Sequence, residues 1–359
     1  MQTSLSPREL LTVYNTISKL EKTESPRKLK DIFSKNARLR ITPTDKCSAN
    51  CYHCVADSSS RGKPMDYFDF ARIPARFFRI FKAVDFGRRG NPLLYQSEGR
   101  DLADIISFLK AKGIKKFTLA LALQEEELPV MRRLEELASK GISLETMVTY
   151  HHYNAKSQDQ IAESFNESLK NFMAFSNTII ISLIGHKFIE KEKGSAKEVN
   201  YAFERNKDKI FSGIGMKKVH EEEYEATYNQ NTARIIIPPI DNRIYPLGRF
   251  RDYLRKKGCL EYYEKKFNQS LTDYVCPDLI TWPGIIIEPN GDLNLCASFE
   301  AITCDKAVVS NIFFEDYEQV EQELIEFNYK EREWFINNLE AIVQGKVSSC
   351  KLKNNCYEK

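Results

Sequence analysis

Three cysteines crowd into one short run, Cys47-Ser48-Ala49-Asn50-Cys51-Tyr52-His53-Cys54, spaced Cys-x3-Cys-x2-Cys. Three thiolates on one loop can hold three irons of a cubane cluster and leave the fourth iron without a protein ligand, whereas fully ligated cubanes use four cysteines. An open coordination position marks a catalytic rather than a structural metal site. Two plainer readings stand beside this one. A zinc loop would need a fourth Cys or His nearby; His53 sits inside the triad and the next histidine is His151. Small buried thiols can also cluster by chance.

The chain carries 9 cysteines. An odd count without the apolar run of a signal peptide argues against a disulfide framework and for metal or redox chemistry. The six thiols outside the triad, Cys259, Cys276, Cys296, Cys304, Cys350 and Cys356, all lie late in the sequence. Two metal-binding regions are the economical reading, with a structural zinc or scattered core thiols as the plain alternatives for the second.

The elements that must position these residues alternate. Strand-like runs fall at Ala37 to Thr42, Lys82 to Phe86, Lys116 to Leu121, Ser143 to Thr149, Thr178 to Leu183 and Ala233 to Pro238. Helical periodicity fills Leu102 to Lys112, Leu128 to Lys140, Ile161 to Phe175 and Glu198 to Ile210. Six strands with helices between them predict parallel βα units, an open sheet or a partial barrel of the α/β class. In such folds the chemistry gathers at the C-terminal ends of the strands.

That rule selects further loops. Gly90-Asn91-Pro92 follows the second strand, His151 and His152 the fourth; Ser182 lies inside the fifth, and Arg249 comes after the sixth. Each has an ordinary reading too: a Gly-Asn-Pro turn, mouth-loop histidines that point apart, a serine bonded to backbone, a solvated arginine. An N-terminal segment, residues 1–36, opens with Ser6-Pro7-Arg8-Glu9 before apolar residues at helical spacing. Past residue 250 the pattern changes. A charged helix over Arg249 to Lys266 leads to a hairpin signal around Pro289-Asn290-Gly291, and a last helix covers Tyr317 to Ile342. The expected domains are therefore 1–36, 37–250 and 251–359.

Composition narrows the function classes. Of 359 residues, 42% are hydrophobic and 29% charged, enough for a sizeable core. The formal net charge of +3 is no footprint for a nucleic-acid binder. The longest apolar run, Ile179 to Ile184, is far too short to cross a bilayer, so a cytoplasmic protein with no membrane partner is expected.

Cys47, Cys51 and Cys54, with His53 before the last of them, resemble the signature of radical SAM enzymes. The resemblance implies a partial (β/α)6 TIM-like barrel over 37–250. It implies a [4Fe–4S] cluster whose open iron is chelated by S-adenosylmethionine (SAM), and His53 near the adenine. The reduced cluster then cleaves SAM to methionine and a 5′-deoxyadenosyl radical that abstracts hydrogen from substrate. The family's Gly-Gly-Glu-Pro motif, which grips the SAM amino group, is matched here at Gly90 and Pro92, while Arg89 and Asn91 depart from it. Asn91 offers an amide oxygen without charge, and Glu98 is a candidate for the missing carboxylate. Ser182 resembles the polar residue used for the SAM ribose.

The late cysteines resemble a truncated SPASM or twitch extension, a small C-terminal α+β iron–sulfur domain. Six thiols remain outside the triad, and two all-cysteine cubanes need eight, so one auxiliary [4Fe–4S] cluster is implied. Cys276, Cys296, Cys350 and Cys356 are its preferred ligands.

The expected function is that of a radical SAM oxidoreductase acting on a ribosomally made peptide to give a crosslink, a thioether or an epimer. His151, His152 and Arg249 are candidates to touch substrate, and flavodoxin or ferredoxin is the expected reductant. The alternatives are tailoring of a small molecule such as a carbohydrate, or a non-catalytic iron–sulfur or zinc protein in electron transfer.

Overall fold

The computed structural model describes residues 11–19, 27–49, 51, 54, 56, 58–87, 89–122, 126–150, 158–183, 208–237, 248–264, 282–294 and 308–346, apart from single positions 12, 16, 257 and 345. Its frame is a mixed α/β arrangement around one large sheet. Six strands stand side by side in chain order: β1 (Phe33–Ile41), β2 (Ala83–Phe86), β5 (Lys116–Leu121), β6 (Ser143–Tyr150), β7 (Thr178–Leu183) and β10 (Asn231–Ile236). Every neighbouring pair among them is parallel. These are the six expected strands, and their order follows from each returning helix placing the next strand beside the last.

The helices return by a shared device. Asp101 caps α3 (Leu102–Ala111) by accepting from the Ala103 N–H, while Asp104 accepts from the Asp101 N–H. At its far end Gly113 takes φ 102°, and the Ile114 N–H reaches back to the Leu109 carbonyl at 3.1 Å. Helix α4 (Pro129–Ser139) ends the same way, with Gly141 at φ 81° and Ile142 reaching Leu137. Both terminations satisfy orphan carbonyls and aim the chain into the next strand.

The sheet's two faces differ. On one, Leu39, Ile41, Val84, Phe86, Phe117, Leu119, Leu144, Val148, Ile179, Ile181 and Ile235 are buried in a single apolar core. Helices α3, α4 and α5 (Gln158–Met173) bury Ile105, Leu134 and Phe165 in the same core and cover this face. Under the first strands the core is aromatic. Phe33 of β1, Phe70 of α1 (Tyr67–Arg72), Phe77 and Phe78 of α2 (Ala75–Phe78) and Phe81 just after it pack edge to face with centroids 5.2 to 5.7 Å apart.

The opposite face is layered. One cross-strand row runs Arg40, Asp85, Thr118, Glu145, Thr178, Arg234. Arg38 grips Asp85 with Nε at 2.9 and 2.8 Å and donates to Thr118 at 2.8 Å, and Lys116 pairs with Glu145 at 2.7 Å. The next row toward the C-terminal ends is Ala120, Met147, Ile180 and Ile236, and beyond it stand Thr149 and Ser182. Met147 is 38% exposed, so this face is open rather than packed.

Both flanks of the sheet turn antiparallel. Strands β8 (Lys217–Lys218) and β9 (Glu223–Tyr228) continue outward from β10. On the other side β11 (Trp282–Ile287) pairs in parallel with β1, and β12 (Asp292–Asn294) and β13 (Val308–Asn311) follow it. The hairpin expected around Asn290-Gly291 is thus present, with Gly291 at φ 88°. It extends the main sheet. Helix α7 (Tyr317–Asn337) packs against this flank, burying Tyr317, Val320 and Leu324 in the main core, and α8 (Leu339–Val343) follows after a break at Asn338. No helix among the described residues is long and apolar enough to cross a membrane.

Candidate active site at the ends of the first strands

The loop that follows β1 carries the three thiols. Its backbone is held against its own return: the Asp45 N–H donates to the Lys63 carbonyl at 3.0 Å, the Cys47 N–H to Ser59 at 2.9 Å and the Met65 N–H to Pro43 at 2.8 Å. Cys54 donates back to the Cys51 carbonyl at 3.2 Å, closing a local turn between the second and third thiols. Cys47, Cys51 and Cys54 are all half-buried, and none is in a disulfide. The loop therefore leaves the C-terminal end of β1 on a pinned base that includes the first of its thiol residues.

Among the described residues no three His, Cys, Asp or Glu side chains converge as ligands of one metal ion. A cubane asks for something else, since each thiolate binds a different iron and the three need not meet at a point. Three half-buried, unbridged thiols on one strand-end loop suit that donor set better than a single tetrahedral zinc.

The loop after β2 clasps the first. The Asn91 N–H donates to the Lys46 carbonyl at 2.7 Å and the Gly90 N–H to Ser58 Oγ at 2.9 Å. Gly90 takes φ 67°, and a Cβ there would lie 2.1 Å from the Thr44 carbonyl oxygen. Asn91 is fully buried and caps the turn Pro92–Leu94, its Oδ1 accepting from the Leu93 N–H at 3.2 Å. That cap fixes which end of the amide is which: the oxygen faces its own turn and Nδ2, a donor, is left without a protein partner. Asn91 thus presents a donor, not the acceptor expected for an ammonium. Glu98 lies at the exposed tip of a small hairpin, β3 (Gln96–Ser97) and β4 (Arg100–Asp101), where solvent screens its charge.

Sequence reasoning missed a polar cluster beside this clasp. Arg89 Nη1 stands 3.8 Å from both Asp45 Oδ1 and Glu288 Oε2. Glu288 immediately follows β11, is 5% exposed, and accepts through Oε1 from Asn294 Nδ2 at 3.1 Å. Thr42 is brought next to it by donating its N–H to the Ile287 carbonyl at 2.9 Å. Burial pushes the Asp45 carboxyl above its ordinary value; Arg89 pulls it back down and Glu288 adds to the rise. The available signal was Glu288 directly before the Pro-Asn-Gly turn, together with an arginine in place of a glycine at 89.

The remaining candidates divide. Ser182 is half-buried on the open face, opposite Thr149 and four strands along from β1. His53, His151, His152, Cys276, Cys296, Cys304, Cys350 and Cys356 lie outside the described residues, and so does the side chain of Arg249 on α6 (Gly248–Lys256). Cys259 is half-buried with its thiol 3.7 Å from the Leu254 carbonyl, an ordinary position beside the end of α6. A cavity of about 330 Å3 opens beside the thiol loop, between Lys46, Ser48, Leu93, Tyr95 and the start of α4 at Leu128 and Val130. That volume is at the lower end of small-ligand clefts.

No family model matches the chain, and no curated protein matches it. Among solved structures it is similar to SuiB of Streptococcus suis, at 16% identity and a TM-score of 0.41 over 86% of this chain and 68% of that one. The same protein bound to S-adenosylmethionine gives 15% and 0.41 with the same coverage. Bound to precursor peptide SuiA it gives 16% and 0.40, covering 86% of this chain and 67% of that one. These values record a loose likeness in shape.

Proposed function

We propose that the protein is a radical SAM enzyme that modifies a ribosomally made peptide. One observation carries this reading: three unbridged thiols, spaced Cys-x3-Cys-x2-Cys, stand on a pinned loop at the C-terminal end of the first parallel strand, clasped by the loop of the second. Cys47, Cys51 and Cys54 would hold the cluster through three irons. When bound, the cluster supplies the electron that cleaves SAM, and the radical so released takes hydrogen from the substrate. The chain's own residues position and shield. The clasp at Gly90 and Asn91 fixes where the thiol loop begins, the row from Ala120 to Ile236 lines the open face with apolar surface, and Ser182 and Thr149 offer hydroxyls at its rim.

In this reading residues 37–250 form the radical SAM partial barrel and 251–359 carry one auxiliary [4Fe–4S] cluster on Cys276, Cys296, Cys350 and Cys356. His53 approaches the adenine, His151, His152 and Arg249 meet substrate, and a flavodoxin or ferredoxin of the cytoplasm delivers the electron. A peptide is preferred to a small molecule because the late cysteines resemble those of SPASM and twitch enzymes. The test is anaerobic reconstitution followed by reduction with dithionite in the presence of SAM. Formation of 5′-deoxyadenosine is expected. A protein with a full iron complement that leaves SAM intact would be an electron-transfer protein instead.

A further inference from the structure

The cluster around Arg89 is chemically unbalanced. Four buried oxygens there have no hydrogen-bond partner: Thr42 Oγ1, Asp45 Oδ1, Glu288 Oε2 and Asn294 Oδ1. Two carboxylates share one guanidinium, and at 3.8 Å neither is in hydrogen-bonding contact with Nη1. A buried carboxylate oxygen without a donor is costly, so a native arrangement of this kind needs a donor from elsewhere. The groups are contiguous. Thr42 borders Glu288 through the Ile287 carbonyl, Asn294 binds Glu288, and Arg89 joins Glu288 to Asp45. Two buried donor atoms also lack a hydrogen bond, Arg89 Nε within the cluster and Nδ2 of Asn91, two residues along.

The surplus of acceptors calls for a compact cation with several N–H donors. Only two carboxylates contribute and the described residues hold no three-ligand metal group, which favours an ammonium over a metal ion. The donors at Asn91 and Arg89 call for an acceptor close by. An α-amino-acid head group carries both, an ammonium and a carboxylate on one carbon. We infer that Glu288, supplied by the flanking hairpin and not by the β2 loop, is the specificity-determining carboxylate for the ammonium of such a head group. Asp45 assists it and Asn91 Nδ2 faces the carboxylate. The identification of that head group as the methionyl end of SAM rests on the function proposed above. Asn294 is a positioning residue: its bond to Oε1 leaves Oε2 as the free acceptor.

The experiment pairs ligands with variants in anaerobic calorimetry on cluster-loaded protein. The ligands are S-adenosylhomocysteine, its deamino analogue lacking the ammonium, and 5′-methylthioadenosine lacking the head group. On the wild-type protein, removing the amino group should weaken binding about 10- to 100-fold, the range for a lost hydrogen bond to a charged partner. In Glu288→Gln the intact ligand should fall by a similar factor and the penalty for deamination should vanish. Binding of 5′-methylthioadenosine and the iron content should stay unchanged. A full deamination penalty in Glu288→Gln overturns the inference, as does equal weakening of all three ligands, which would make Glu288 structural. Should the variant lose its cluster, the wild-type deamination penalty decides alone, and its absence overturns the assignment. A loaded wild-type protein that binds none of the three refutes the proposed function as well, whereas tight binding without a Glu288 effect refutes only this inference.

Discussion

Replacing Gly90 by alanine tests whether the two loops are clasped as described. The new Cβ would meet the Thr44 carbonyl oxygen at 2.1 Å, the Lys46 carbonyl oxygen at 2.8 Å and the Asp45 carbonyl carbon at 3.0 Å. All three are backbone atoms, so no flexible side chain can swing aside. An L-residue at φ 67° costs about 1–2 kcal/mol by itself, and overpacking adds about 1–3 kcal/mol. The two together come to about 2–5 kcal/mol. Gly99 separates the contributions, because its φ is 72° and nothing lies within 4 Å of its would-be Cβ. Gly99→Ala should therefore show the backbone cost alone, about 1–2 kcal/mol. Urea unfolding of the two variants side by side should place Gly90→Ala lower by on the order of 1 M in midpoint. Since Lys46 precedes Cys47, the displaced loop should also retain less iron after desalting, while Gly99→Ala retains the wild-type amount. Equal midpoints and equal iron for the two alanine variants would refute the clasp.

Three other outcomes follow from particular contacts. Replacing Cys47, Cys51 and Cys54 together by alanine should remove about four irons per chain, measured by colorimetric iron assay, and an unchanged count would dismiss the cluster assignment. The Arg133 guanidinium beside Asp104 holds its carboxyl down at about 2, below the ordinary 3.8. Because the folded value is the lower one, the stabilisation is present above about pH 4 and is lost as the pH falls toward 2; Arg133→Met should flatten the acid limb of the thermal melting curve by about 1–2 kcal/mol. Arg38→Met should cost about 1–3 kcal/mol by leaving the half-buried Asp85 without its bidentate partner, and Asp85→Asn in the same chain should recover part of that in a double-mutant cycle.

The sheet was legible because its strands alternate in a way a single chain can display. In Thr178-Ile179-Ile180-Ile181-Ser182-Leu183, the buried Ile179 and Ile181 stand between partners on the open face, and the observed strand has the expected bounds. The flanks were less legible. Glu223–Tyr228 alternates as cleanly as any inner strand, and Asn229 and Gln230 both take positive φ, at 48° and 66°, to turn it into β10. Asn229 tolerates that conformation but Gln230 stands where a glycine is usual, so the turn carried only half of its composition signal. The same applies to Tyr67–Arg72 and Ala75–Phe78. They are too short to show a helical period, and their positions are set by the aromatic packing beneath β1.

Candidate site residues were legible only where the motif was local. Cys47, Cys51 and Cys54 announce themselves by spacing, since one loop must carry all three. The carboxylate inferred to act at Glu288 is different in kind. Asn91 and Glu288 are separated by most of the chain, and what unites them is the parallel pairing of β11 with β1, which sets Ile287 opposite Ile41 and carries Glu288 past the strand end beside Thr42. A hairpin read from sequence has no address: Pro-Asn-Gly fixes the turn but not the sheet edge that receives it. Once β11 is seated on β1, the side-chain alternation is dictated. Ile285 and Ile287 enter the core, so Glu288 emerges on the face shared by Arg40 and Thr42. A buried carboxylate thus stands three residues before Gly291, on a segment that motif comparison along the β2 loop would never reach.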